Sequence, residues 1–159
     1  MLGTDDKFFN TLGSLCQISP FLPLIGQGLN HIQPIAVTDA AKTIVEILEK
    51  EEIKNNTYEL GGPETFTFKE LMEILLKQIK KKRFLVPIPI PFAKVLGRVL
   101  GIMPKPLLST DNVELTQYGA IVSNKYKTIK DLKINPKTIN EVLPSYIWRH
   151  RQGGQFSKL

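Results

Sequence analysis

A chain of 159 residues, 42% hydrophobic and 23% charged, has the size and composition of one globular domain or a small two-part unit. Its 21 Lys and Arg against 15 Asp and Glu leave a net charge of +6, which favours acidic partners without choosing among nucleic acid, anionic lipid and protein. The single cysteine, Cys16, excludes an internal disulfide and fits a reducing compartment, and the acidic start MLGTDDKFFN does not read as a secretory signal.

Asp5 or Asp6 is placed to cap a first helix with Phe8, Phe9, Leu12, Leu15 and Cys16 on one face, and Pro20 and Pro23 end it. LPLIGQGLNHIQPIAV reads as two extended pieces joined in a hairpin by Gly26-Gln27-Gly28. Thr38 or Asp39 is expected to cap the next helix, whose buried stripe would be Val37, Ala40, Ala41, Ile44, Val45 and Leu48. Asn55 and Asn56 form a turn into the strand TYEL, and Gly61-Gly62-Pro63 leads out of it.

Thr67 with Glu70 three residues on is a capping box. Phe68, Leu71, Met72, Leu75 and Ile79 line one face of the helix it opens. The basic run Lys77 to Arg83 suits the negative end of that helix and reads as a solvated terminus. FLVPIP is a short extended element. Residues 92–103 follow as an amphipathic helix, with Lys94 and Arg98 beside a broad apolar face that suits core packing, a hydrophobic partner or a membrane surface. A span of the bilayer needs about 20 mostly uncharged apolar residues. Pro87, Pro89, Pro91, Lys94 and Arg98 rule that reading out for Phe84 to Met103. A helix over 109–118 and a last one in NPKTINEVLPSYIWRH, interrupted at Pro144, complete an α/β order.

Motifs that carry chemistry are sparse. Gly26-Gln27-Gly28 lacks the third glycine of a dinucleotide fingerprint, and Pro34 stands where a helix should begin. Tyr126 and Lys130 have the spacing of a Tyr-x-x-x-Lys catalytic pair, but NKYKTIKDLKINP is not a helical sequence that would put both on one face. His31, His150 and Cys16 have no metal-ligand spacing, and the serines sit in no nucleophile elbow. The basic run lacks the interleaved aromatics of a nucleic-acid surface. No catalytic or metal-binding residue is assigned, and no nucleic-acid partner is expected.

GTDDKFFN, LPLIGQG, HIQPIAVTDAA, TYELGGPETFTFKEL and NEVLPSYIWRHRQGGQF, in that order, resemble the C-terminal half of extended short-chain dehydrogenase/reductases. The likeness covers essentially the whole chain and is closest to the atypical branch related to the nucleotide-binding accessory subunit of respiratory complex I, NADH:ubiquinone oxidoreductase. It implies an incomplete Rossmann-like α/β fold, with the last parallel strand and helix, plus a mixed α/β substrate-side subdomain. The expected divisions are 1–36, a substrate-side helix and hairpin; 37–64, the last helix and strand of the sheet; and 65–159, a mainly helical substrate-side subdomain. In such proteins the glycine loop and the catalytic tyrosine-lysine pair lie upstream of every residue here, and Leu2 stands at the end of the strand that passes the nicotinamide.

The resemblance therefore implies a binding or structural role for the C-terminal portion of an NAD(P)-binding protein, catalytically incomplete by itself. NADP(H) or NAD(H) would be held only with the missing N-terminal Rossmann half. The expected partners are that half, complex I subunits, and a membrane surface met through the 92–103 helix. The alternative is the substrate-binding half of a nucleoside-diphosphate-sugar epimerase, dehydratase or reductase. The ligand-cleft candidates are Asn10, which also reads as part of a capped turn, and His31. The latter falls where sugar-nucleotide epimerases carry a pyrophosphate-binding arginine, and an imidazole lacks that side chain's fixed fork of donors. Asp39 matches the family aspartate at the start of the returning helix, read as a cap. The expected location is cytoplasmic, peripheral at the inner face of the membrane, with an unpaired edge on the TYEL strand.

Overall fold

A computed structural model describes residues 1–50, 56–92, 119–123 and 125–154. The expected helices at 92–103 and 109–118 lie outside these residues from 93 onward. The chain forms two compact units interleaved along the sequence. Among the described residues, the first unit takes 1–6, 33–50, 56–65, 120–123 and 125–146, and the second takes 7–32, 66–92, Gly119 and 147–154. The expected segments 1–36 and 65–159 each contribute to both units, because the chain re-enters the first one at Gln33 and again at Ala120.

In the first unit Leu2 is bridged in parallel to Ala36. The Leu2 N–H donates to Ile35 O at 2.7 Å and the Val37 N–H donates to Leu2 O at 2.8 Å. Helix α2, Val37–Glu49, leaves directly from that bridge. Strand β3, Tyr58–Glu59, runs parallel to β6, Lys127–Thr128, with Tyr58 opposite Lys127. Among the described residues β6 is the one strand neighbour of β3. Ile35, Ala40 and Ile129 form one buried cluster of its core, with Leu60 and Ile134 packed against it.

Two capping boxes not read from the sequence start the elements after β6. The Thr128 N–H and hydroxyl donate to Asp131 Oδ2 at 2.6 and 3.1 Å, opening a 3₁₀ turn over Ile129–Leu132. Thr138 does the same with Glu141 at 2.7 and 2.8 Å, opening the short helix Ile139–Val142. A separate turn of helix, Pro144–Ile147, follows, so the interruption expected at Pro144 is present. Tyr146, 2% exposed, donates its hydroxyl to Asp6 Oδ2 at 2.7 Å.

Helix α2 departs from expectation in which side it buries. Asp39, Ala40 and Thr43 face inward, whereas Val37, Ile44, Val45 and Leu48 are 46, 54, 51 and 68% exposed. Two polar residues are accommodated inside because their groups are satisfied. Asp39 Oδ2 accepts the Lys137 N–H at 2.7 Å, and the Thr43 hydroxyl donates to Asp39 O at 2.8 Å. Asp39 is not the cap that was expected. Ala36 holds the N-cap position with no side-chain bond, and Asp39 lies inside the first turn, where the helix dipole favours its charge.

In the second unit α1, Lys7–Ile18, buries Phe9, Gly13 and Cys16. The extended pieces on either side of Gly26-Gln27-Gly28 do not form the expected hairpin. Strand β1, Phe21–Ile25, pairs in parallel with β5, Phe84–Ile88, and β2, His31–Ile32, pairs antiparallel with β4, Phe66–Thr67. The turn has positive φ at all three residues, 57, 65 and 69°. It redirects the chain rather than folding it back on itself. Pro23 and Pro87 cannot donate to a ladder, which confines their strands to the edges of small sheets.

Helix α3, Phe68–Gln78, has the expected capping box, with the Thr67 N–H donating to Glu70 Oε2 at 2.6 Å and the Glu70 N–H to Thr67 Oγ1 at 3.2 Å. Phe68, Leu71, Met72, Leu75 and Ile79 are buried as read. The basic run after it is not simply solvated. Arg83 Nε and Nη2 donate to Cys16 O at 3.0 and 2.8 Å, and Lys81 Nζ donates to Gln17 Oε1. Cations thereby neutralise the negative end of α1 and satisfy one of its orphan carbonyls.

Candidate functional site

The two ligand-cleft candidates both lie in the second unit, on different elements. Asn10 stands in the middle of α1, not in a capped turn. Its Oδ1 lies 3.2 Å from His150 Nε2, which donates when that nitrogen carries the proton, and its carbonyl accepts the Ser14 hydroxyl at 2.9 Å. His150, 8% exposed, ends the 3₁₀ turn Trp148–His150. Its ring covers Gly13 so closely that a Cβ there would sit 2.6 Å from His150 Cδ2. Its carbonyl accepts Gln17 Nε2. Burial pushes the His150 imidazole below its usual range, with the charges of Arg149 and Lys81 acting in the same direction. Asn10 therefore helps seat the His150 turn on α1. The Gly13–His150 contact had no signal in the sequence beyond a small residue in mid-helix.

His31 is exposed on β2, opposite Thr67 on β4. Thr67 also caps α3, so His31 stands beside the Thr67–Glu70 box. The Glu70 carboxyl is held below the usual carboxylate range, chiefly by the Thr67 N–H, then by the Thr67 hydroxyl, with a smaller pull from His31. Gly119, at φ +70°, passes close behind: a Cβ there would lie 2.7 Å from His31 O. A half-buried Phe8 packs edge-on against Phe68 at 5.6 Å. The result is an exposed imidazole beside a carboxylate, able to meet a polar or anionic ligand but lacking the fork that binds pyrophosphate bidentately.

The Tyr126–Lys130 spacing does not produce a catalytic pair on one helix. Tyr126 is 55% exposed in a bend before β6, and Lys130 lies in the 3₁₀ turn beyond it. Among the described residues no group of three or more His, Cys, Asp or Glu is arranged to hold a metal ion. Cys16 is buried, and burial raises its thiol above the usual range.

The glycine turns do not fit a dinucleotide pyrophosphate. A Cβ on Gly28 would lie 2.6 Å from Leu24 Cδ1, so the chain's own leucine fills the space at that turn. At Gly62 a Cβ would fall 2.0 Å from the carbonyl oxygen of Pro34, and at Gly61 it would meet the Gln33 carboxamide at 2.6 Å. Gln33 is the hub of this contact. Its Nε2 donates to Gly62 O at 2.7 Å, its Oε1 accepts the Val122 N–H at 3.1 Å, and its own N–H donates to Ala120 O at 2.7 Å. Gly61 and Gly62, read as a plain turn, are a close crossing of two backbones whose carbonyl oxygen would repel a phosphate. The space at both glycine turns is taken by the chain's own atoms.

No family model matches the chain. It is 34% identical, over 97% of its length, to the mitochondrial NADH dehydrogenase (ubiquinone) 1 alpha subcomplex subunit 9 of Arabidopsis thaliana. It is 27% identical, over 98%, to the mitochondrial NADH-ubiquinone oxidoreductase 40 kDa subunit of Neurospora crassa. The chain spans 41% of the length of each relative. Among solved structures, a nucleoside-diphosphate-sugar epimerase from Staphylococcus aureus matches 92% of the chain and 50% of its own at TM-score 0.63 and 21% identity. A Citrobacter triphenylmethane reductase complexed with NADP(H) matches 91% of the chain and 50% of its own at TM-score 0.66 and 19% identity. The Rossmann-like α/β fold is as read from the sequence, and so is the kinship with the complex I accessory subunit, to whose family the chain belongs. The relatives are named as mitochondrial, which gives the cytoplasmic expectation no support. Among the described residues no helix is long and apolar enough to cross a membrane.

Proposed function

We propose that this relative of the complex I subunit 9 proteins, with the fold of the epimerase and reductase structures, supplies the C-terminal, substrate-side portion of a larger NAD(P)-binding unit. Its role is binding and structural, and it is catalytically incomplete by itself. The observation that supports this is the pairing in the first unit. Leu2 with Ala36 and β3 with β6 are parallel contacts of one or two residues, and β3 has a single strand neighbour among the described residues. All-parallel sheets occur almost only in α/β proteins that cover both faces. NADP(H) or NAD(H) is held only when an N-terminal Rossmann portion adds strands and a glycine loop. The further partners are complex I subunits, on a surface peripheral to the membrane and reached through residues 92–103. Asn10 positions elements in this reading, and His31 faces the ligand cleft.

The fold likeness to the sugar-nucleotide epimerase, together with the exposed His31 beside Glu70, favours one second reading: the substrate-binding half of an epimerase, dehydratase or reductase. Co-expression with a polypeptide covering the part of the relatives beyond this chain separates the two. Association with NADP(H) retained and not exchanged supports the structural role. Turnover of a nucleoside-diphosphate sugar supports the enzyme. No association, or no nucleotide in the complex, overturns both.

A further inference from the structure

The charge of the chain is not spread evenly. Among the described residues the second unit carries nine Lys and Arg against Glu70 and Glu73, a net +7. The first carries seven against nine Asp and Glu, a net −2. Both glutamates of the second unit precede the last turn of α3. Beyond them, Lys77 to Arg83 supply five cations and Arg149 and Arg151 two more. Hydrogen bonds gather these at one place. Arg83 and Lys81 reach the C-terminal end of α1, at Cys16 O and Gln17 Oε1, and Arg151 Nε donates to Gln78 O, at the end of α3, at 2.7 Å. Gln17 Nε2 in turn donates to His150 O, so the ends of both helices and the turn Trp148–His150 meet. Lys77, Lys80, Lys82 and Arg149 are exposed around this junction.

An apolar patch adjoins it. The parallel register sets Phe21 opposite Phe84, the residue after Arg83, and their rings lie 5.9 Å apart. They are 56 and 70% exposed, and Ile18, the last residue of α1, is 79% exposed. The core face of β1 is the opposite one, where Leu22 and Leu24 are buried. The edges of this sheet are poor templates for an added strand. The Phe84 N–H turns inward to Pro20 O, so by alternation Pro23 and Pro87 hold outward positions and leave no donor there. A partner therefore meets the aromatic face, not an edge.

We propose that this cationic and aromatic surface is the docking site of a partner protein that presents an acidic segment with an aromatic side chain among its carboxylates. Charge complementarity sets the sign of the partner, and the Phe21–Phe84 pair asks for more than a polyanion. Aromatic residues and arginine are the side chains that protein interfaces enrich. Attraction to an anionic lipid surface depends on the number of cations rather than on their placement. Here Lys81, Arg83 and Arg151 are already held by oxygens at the helix ends, which leaves fewer side chains to order on binding. The surface lies wholly in the second unit, and the proposal goes beyond the function proposed above without depending on it.

The test titrates the whole chain with a synthetic peptide in which Glu-Glu pairs alternate with Phe, with an all-Glu peptide of the same length, and with phosphatidylglycerol vesicles. The mixed peptide binds saturably and more than about tenfold more tightly than the all-Glu one. Lys82→Glu with Arg149→Glu weakens that binding more than about tenfold, and so does Phe21→Ser with Phe84→Ser. Lys125→Glu with Lys130→Glu, the same charge change made in the first unit, leaves it within about twofold. Radical footprinting of the wild type shows Phe21 and Phe84 shielded by the mixed peptide, a readout independent of how the variants fold. No binding of that peptide, equal affinity for the all-Glu peptide, or phenylalanines shielded by the vesicles and not by the peptide would each overturn the proposal, the last in favour of a membrane surface.

Discussion

Gly62→Ala is the sharpest perturbation the structure offers. The new Cβ would fall 2.0 Å from Pro34 O and 3.0 Å from Pro34 C. Both are backbone atoms, so no side chain can swing away to make room. Relief requires separating the two segments, which also stretches the 2.7 Å bond from Gln33 Nε2 to Gly62 O. Overpacking costs about 1–3 kcal/mol, here at the upper end, and a weakened hydrogen bond adds up to about 1 kcal/mol. A loss of about 3 kcal/mol lowers the melting temperature by about 6–12 °C for a chain of this size. Gly154→Ala is the control: among the described residues no atom beyond its chain neighbours lies within 4 Å of the added Cβ, and its φ of +53° leaves backbone strain of about 1 kcal/mol. Urea unfolding of the three proteins measures the difference. Equal destabilisation by the two substitutions would refute the argument from the Gln33–Gly62 crossing.

Thr67→Ala removes the α3 cap and costs about 1 kcal/mol, read as a lower urea midpoint with unchanged slope. Asp39→Ala leaves the Lys137 N–H without its acceptor and costs about 1–3 kcal/mol, whereas Asp39→Asn keeps an acceptor and recovers part of the loss. His150 has a folded pKa below its unfolded value, so the unfolded chain takes the proton first. Stability accordingly falls as pH drops from about 6.5 and levels off once the folded form is protonated; thermal melts of His150→Gln lose that slope. Glu70, Asp131 and Glu141 are each lowered, first by the N–H of the threonine they cap. Their contribution is present above the ordinary carboxylate range and disappears as pH falls through the lowered folded values, so a second decline appears in acid melts and shrinks in Glu141→Gln.

What the sequence made legible was local. Thr67 and Glu70 announce α3 because both partners of the cap lie within one turn, and its apolar period then fixes the buried face. The same spacing at Thr128–Asp131 and Thr138–Glu141 was there to be read but stands before elements too short to carry a periodic stripe. The period of α2 was legible, but its orientation was not. The inward face is set by Lys137, 98 positions from Asp39, and the longer apolar stripe is left outward. The expected hairpin failed for a similar reason. Nothing in FLPLI names FLVPI as its neighbour, whereas a glycine turn between two extended pieces imitates a hairpin signal. Of the cleft candidates, His31 is placed on an exposed strand, while Asn10 is drawn to His150, 140 positions away.

The central claim is that these residues complete a dinucleotide cleft rather than contain one. NADPH titration followed by nucleotide fluorescence, with the chain alone and with the remainder polypeptide added, tests it most directly. The account predicts saturable binding only in the mixture. Tight, saturable, one-to-one binding by the chain alone would contradict it.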